Sequence, residues 1–214
     1  MTSMPPSLRS MLRLVADDAR LYRRLTRAAG GPISGALLMF ILRSPGLWIL
    51  ESHRIASYLN RSAVKRGFRW RLAYIIQPIA EYLTAIISKS EILADCHIDE
   101  DVYLSNRGYI ICGAQRIGAG SVIHDHCTFG EAVANGHAGR PTIGRRVWIG
   151  PNCILAGPIT VGEGATILPG TFLTFNVRAG ALVKGNPARV VAESFDNSSL
   201  RSSCELEDVP DGKP

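Results

Sequence analysis

From Ile92 to Leu173 a large apolar residue returns every sixth position, and that spacing limits the fold more than anything else in the chain. Ile92, Ile98 and Leu104 form one run. Ile111, Ile117, Ile123 and Phe129 form a second, and Ile143, Ile149, Leu155, Val161, Ile167 and Leu173 a third. A period of six matches neither an amphipathic helix nor a simple alternating strand. It marks a hexapeptide β-helix, in which short strands wind around one axis. Four places after each large residue stands a small or branched one, as at Cys96, Val102, Ser121, Cys127, Val147, Cys153, Ile159, Ala165 and Thr171. Two inward positions per hexad, one large and one small, fill a narrow prism. Glycine often follows the large residue directly, at Gly118, Gly144, Gly150 and Gly162.

The pattern breaks twice. Leu104 to Ile111 is one residue too long, so an extra residue sits within Ser105 to Ile110. Phe129 to Ile143 is longer still, so a loop leaves the coil between Gly130 and Pro141. A solenoid accepts insertions only where they can leave the stack, and loops on a rigid scaffold are common places for function. His124, His126 and His137 all fall beside this excursion.

The rest of the chain divides around the coil: a helical region over 1–90, the coil over 91–191 with its loop at 130–141, and a polar tail over 192–214. Helical spacing runs from Leu8 to Ala28, from Trp48 to Lys65 and from Leu72 to Ile87, with an apolar stretch Leu37–Leu42 between the first two. Pro78 predicts a kink or a boundary inside the third. The tail is rich in Ser, Asp and Glu without periodicity, which predicts a loose segment.

The net charge of +6 is concentrated before Leu72, in residues such as Arg9, Arg13, Arg20, Arg54 and Arg71. It reads as a solvated helix face, or as a surface for peripheral contact with an anionic membrane or glycan precursor. No recognition motif or stacking pattern accompanies it, so nucleic acid is not an expected partner. The five cysteines form no paired motif and read as buried, reduced thiols. With no secretory pattern at the N-terminus and no long apolar span, the expected location is cytoplasmic.

At this point the chain resembles the hexapeptide-repeat acyltransferases, and most closely the serine O-acetyltransferases. Ser44-Pro45-Gly46 and His53-Arg54-Ile55-Ala56 are similar to that family's Tyr-Pro-Gly and His-Arg-Ile-Ala; Gly185-Asn186-Pro187-Ala188-Arg189-Val190-Val191 is similar to its closing Gly-x-Pro-Ala-Arg-x-Val. The resemblance covers about Arg43 to Val191. It implies a left-handed parallel β-helix with an N-terminal α-helical region, a homotrimer, and O-acetyl transfer from acetyl-CoA to a small-molecule or glycan acceptor. It also implies cofactor contacts at Gly150, Pro151, Pro169, Gly170, Lys184, Asn186 and Arg189. Where the family carries Leu-Asp-His-Ala-Thr-Gly, this chain has Leu104-Ser105-Asn106-Arg107-Gly108, and Asn106 has no titratable proton. Where the family's loop carries Arg-His-Pro, Gly139-Arg140-Pro141 stands here.

Acyl transfer to a hydroxyl needs a base near the acceptor. The candidates are His124, His126 and His137, with Asp125 to orient an imidazole. Asn106, Arg107, Glu131 and Arg140 are candidates for the acceptor, since an arginine fork suits a carboxylate or phosphate. The competing reading of His124-x-His126 as a zinc site lacks the three or four convergent ligands zinc requires. His53 reads as a helix packing or hydrogen-bonding residue. The competing reading of the whole chain is a structural or regulatory coil without catalysis, because Asn106 replaces the family's histidine.

Overall fold

The computed structural model of the protein describes residues 8–28, 44–61, 68–134 and 137–207. Three helices come first: α1 (Leu8–Ala28), α2 (Pro45–Arg61) and α3 (Phe68–Ser88). A left-handed parallel β-helix follows, with three faces. Face A stacks β1 (Glu91–Ile92), β4 (Ile111–Cys112), β7 (Thr128–Gly130), β12 (Ile154–Ala156) and β15 (Phe172–Leu173). Face B stacks β2 (His97–Ile98), β5 (Arg116–Ile117), β10 (Thr142–Ile143) and β13 (Thr160–Val161). Face C stacks β3 (Tyr103–Leu104), β6 (Val122–Ile123), β11 (Trp148–Ile149), β14 (Thr166–Ile167) and β16 (Leu182–Lys184), and β17 (Arg189–Ala192) closes it antiparallel.

The register shows why a six-residue repeat makes this shape. Each strand contributes one inward side chain, and the next coil places its equivalent directly above. On face C, Leu104 pairs with Ile123, Ile123 with Ile149, Ile149 with Ile167, and Ile167 with Val183. All five are shut off from solvent. The glycines after the large residues have a steric reason. A Cβ on Gly118 would collide with the backbone of Gly144, and one on Gly150 would come within 3.0 Å of three atoms of Pro169.

One inward assignment needs correction. Ile92 pairs with Cys112, Cys112 with Phe129, Phe129 with Leu155, and Leu155 with Leu173, so Cys112 holds the inward position on β4. Ile111 is 51% exposed. The break after Leu104 therefore holds two extra residues, and one is missing between Cys112 and Ile117. The net of one was visible in the spacing, but its placement was not. Ile110, fully buried, fills the small-residue column shared with Cys127 and Cys153.

The helices are fastened to the first coil by side chains of the motifs noted above. Arg54 pairs with the buried carboxylate of Asp18 and donates to the carbonyls of Ile98 at 3.1 Å and Asp99 at 2.9 Å. The His53 ring bonds the Cys96 carbonyl at 3.0 Å. Tyr22 Oη donates to the Leu104 carbonyl at 2.7 Å and accepts from its N–H at 3.0 Å. Gly46 approaches so close to Leu104 that any side chain there would strike its carbonyl.

Two helical expectations change. α3 runs through Pro78, so no boundary falls there. The tail is not loose throughout, because Ser198–Glu207 forms α4, which packs on α1. The buried Asn197 precedes it and donates to the carbonyls of Arg146 and Gly164. The stretch Leu37–Leu42 and residues 208–214 lie outside the described residues. Among those described, no helix is long and apolar enough to cross a membrane.

The helix junction carries a pH signature. Burial, and next the nearby charge of Asp18, pushes the Glu51 carboxyl up to about 8. A raised carboxylate pKa means the folded state binds the proton more tightly than the unfolded chain. The stability it contributes is full below the ordinary carboxylate value and is lost as pH rises through 8. Glu51→Gln, neutral at every pH, is expected to flatten this loss and gain on the order of 2 kcal/mol over the parent at alkaline pH. Thermal melts from pH 5 to 9 check it; parallel curves for parent and variant would contradict it.

Candidate functional site

The prism's three corners collect different residues. The corner between faces C and A carries 105–110, 124–127, 150–153 and 168–171. Backbone hydrogen bonds link successive turns there: His126 N–H to Gly108 O at 3.2 Å, Asn152 N–H to Asp125 O at 3.1 Å, and Gly170 N–H to Pro151 O at 3.0 Å. The chain turns this corner with a left-handed residue on each coil: Tyr109 (φ 60°), His126 (φ 56°), Asn152 (φ 59°) and Gly170 (φ 71°). The histidine pair and the predicted cofactor residues Gly150, Pro151, Pro169 and Gly170 therefore share one edge of the molecule.

The two histidines of that corner are in opposite situations. His124 is 5% exposed and lies against Trp148, ring centroids 5.0 Å apart and planes tilted by 59°. Within the chain it is a packed side chain, closed to an acceptor. His126 is exposed, and its Nδ1 lies 2.9 Å from Asp125 Oδ2. With Asp125 accepting from Nδ1–H, Nε2 keeps the lone pair that a base uses. One ring face is stacked by Tyr109, centroids 4.4 Å apart and planes within 13°. The Tyr109 hydroxyl accepts from Lys89 Nζ at 2.7 Å.

The remaining sequence candidates lie elsewhere. The loop rises from the corner between faces A and B as a hairpin of β8 (Ala132–Ala134) and β9 (His137–Gly139). Glu131 is exposed at its base. His137 stands on β9, and its side chain lies outside the described residues. Arg140, at the hairpin's end, is engaged: its two terminal nitrogens clamp Asp95 at 2.8 and 2.7 Å. That carboxylate, hydrogen-bonded to the guanidinium, raises the Arg140 pKa still further. His126 and Glu131 lie five positions apart across face A, a span of about 15 Å. In one chain, then, the hairpin residues and the Asp125–His126 pair occupy different corners.

Asn106 is not idle at the position where the resembled family keeps histidine. Its Oδ1 accepts from Gly46 N–H at 3.2 Å, tying the coil to the start of α2. Arg107 is exposed on the same turn. Lys184, Asn186 and Arg189 are exposed at the C-terminal end of the prism. Among the described residues no group of three or more His, Cys, Asp or Glu side chains converges as a metal site would.

Sequence reasoning passed over Tyr109, Lys89 and Trp148. Tyr109 had a visible signal, as a bulky residue after Gly108 inside a break of the repeat. Lys89 and Trp148 had none, since nothing in a hexad says which outward side chain its neighbours will cover.

Comparison with known proteins agrees with this architecture. Residues 140–174 match the family model for bacterial transferase hexapeptide (six repeats). A chloramphenicol acetyltransferase of Agrobacterium fabrum is 41% identical over 78 residues, which span 36% of this chain and 37% of that protein. A serine acetyltransferase of Mycobacterium tuberculosis is 27% identical over 185 residues, covering 86% of this chain and 75% of its own length. The crystal structure of serine acetyltransferase from Brucella abortus with coenzyme A superposes with a TM-score of 0.65 at 20% identity, over 87% of this chain and 72% of that one. With its coil of hexads, the matching repeat model and these likenesses, the chain is similar to the hexapeptide-repeat acyltransferases and, over most of its length, to the serine acetyltransferases.

Proposed function

We propose that this protein is an acetyl-CoA-dependent O-acetyltransferase in which His126 is the general base. The observation that carries the reading is the Asp125–His126 pair, exposed on the same corner as the glycine and proline residues expected to meet the cofactor. His126 Nε2 takes the proton of an acceptor hydroxyl as its oxygen attacks the thioester carbonyl. The tetrahedral intermediate then collapses, the C–S bond breaks, and the imidazolium returns the proton to the departing sulfur. The products are the acetyl ester and free CoA thiol. The same fold carries coenzyme A in the Brucella structure, which supports the donor. The acceptor is a hydroxy amino acid, a sugar or a natural-product intermediate. The chain lacks the family's histidine at Asn106, so serine is one member of that set and not its default.

The proposed assembly is a homotrimer. Of the outward columns, face C has Tyr103, Val122, Trp148 and Thr166 already buried within the chain, and face B shows His97, Arg116, Thr142 and Thr160. Face A shows exposed apolar residues, Ile111, Ile154 and Phe172, in one column with Thr128. Such a strip suits a neighbouring copy.

The test is calorimetry with acetyl-CoA and with free CoA up to millimolar concentration, followed by thiol release against a panel of hydroxylated acceptors. Binding of both, with release in the presence of one acceptor class, is the expected result. No heat from either ligand would leave the non-catalytic coil as the better reading.

A further inference from the structure

The three residues Lys89, Tyr109 and His126 stand one above another on the C–A corner. All three adopt the left-handed conformation, φ 51°, 60° and 56°. Left-handed residues are how this prism turns its corners, since Asp101, Arg146 and Asn152 do the same. What differs here is the side chains that the turn displays. Successive coils lie about 4.8 Å apart, close to the separation of two stacked rings. Tyr109 and His126 use that match, with centroids 4.4 Å apart and planes within 13°. Lys89 Nζ then donates to the Tyr109 hydroxyl at 2.7 Å and lies 4.9 Å from its ring centroid.

We propose that Tyr109 is a positioning residue for His126. This rests on the reading of His126 as the base. The Asp125 hydrogen bond fixes the imidazole at one atom, Nδ1, and leaves the ring free to swing about that contact. Stacking against a second flat ring fixes its plane. The two constraints together set the direction in which Nε2 meets an acceptor hydroxyl, and small misalignment of a base is costly. Tyr109 needs no chemistry of its own for this role, only a flat apolar ring held by the corner.

The role separates from a structural one by a graded series. Tyr109→Phe keeps the ring and is expected to retain kcat within about threefold, whereas Tyr109→Ala is expected to lose about tenfold or more. The KM for acetyl-CoA should stay within about twofold in both, because the change is at the base and not at the donor. Proton NMR gives an independent signature. The His126 ring protons, assigned with His126→Asn, should move downfield in Tyr109→Ala when the shielding ring is removed, and stay in place in Tyr109→Phe. Should Tyr109→Ala not fold, as judged by circular dichroism, Tyr109→Leu is judged by the same criteria. Parental kcat in the ring-less variant, while His126→Ala is inactive, would overturn the positioning role and leave the base assignment standing. Loss in Tyr109→Phe equal to that in Tyr109→Ala would also overturn it, since the hydroxyl and not the stack would then matter. Full activity of His126→Ala is the separate result that removes the base itself.

Discussion

His126→Ala is expected to lower turnover by about two to four orders of magnitude, the usual range for a general base. His126 is exposed, is oriented by Asp125 through Nδ1, and shares its corner with the expected cofactor residues. His124→Ala is expected to behave differently. That ring is packed against Trp148, so its loss should lower the melting temperature more than it lowers turnover of the folded fraction. A change at His137 should be milder than at His126 if it only helps to bind the acceptor from the hairpin. CoA binding should survive all three. The measurement is thiol release by each purified variant, with folding checked by circular dichroism. Full activity of His126→Ala would point the assignment to His137 or to the acceptor's own basic group.

Phe129→Ala is expected to cost about 3–5 kcal/mol of folding stability, the range for emptying a buried aromatic site. Phe129 is 1% exposed and lies between Cys112 below and Leu155 above. In a solenoid each coil rests only on its neighbours, so a cavity at the central coil weakens both halves. Ile111→Ser makes the contrast. Ile111 belongs to the same repeat by spacing, yet its side chain is outside on face A. If face A meets another copy, Ile111→Ser should leave the fold intact and weaken association. Thermal melts and light scattering during gel filtration read both effects. A parental melting temperature for Phe129→Ala would refute the core assignment. A monomeric parent would refute the trimer. The apolar arc of α3, with Ile75, Ile79, Leu83 and Ile86 exposed, could instead rest on an anionic membrane. Sedimentation with lipid vesicles distinguishes that outcome from self-association.

The coil was legible because its physics is local. A six-residue period admits one wall geometry, and the inward stack follows from it for Ile98, Leu104, Ile117 and Ile123. Ile111 shows the limit. Two inserted residues and one deleted residue nearly cancel in the count, so the spacing alone shifted the inward position by one. The candidate histidines were visible as letters, but their environments were not. His124 and His126 are two residues apart and chemically alike, and only the side chain of the next coil, Trp148, decides which one is covered. Arg140 likewise looked available until Asp95, remote in sequence, was placed beneath it. The fate of Ser198–Glu207 depended on a landing place that composition does not describe: the carbonyls of Arg146 and Gly164.

The way the stack ends has a consequence of its own. A pile of parallel strands exposes an open edge at top and bottom, and such edges invite further chains to add on without limit. Here the lower edge is occupied, because Tyr22, His53 and Arg54 spend their polar atoms on the backbone of Leu104, Cys96, Ile98 and Asp99. The upper edge on face C is occupied by β17, which arrives in the opposite direction and so does not continue the winding. Both devices block growth along the axis by unlike means. End-to-end addition, the route by which an unblocked ladder would nucleate a fibre, is thereby disfavoured.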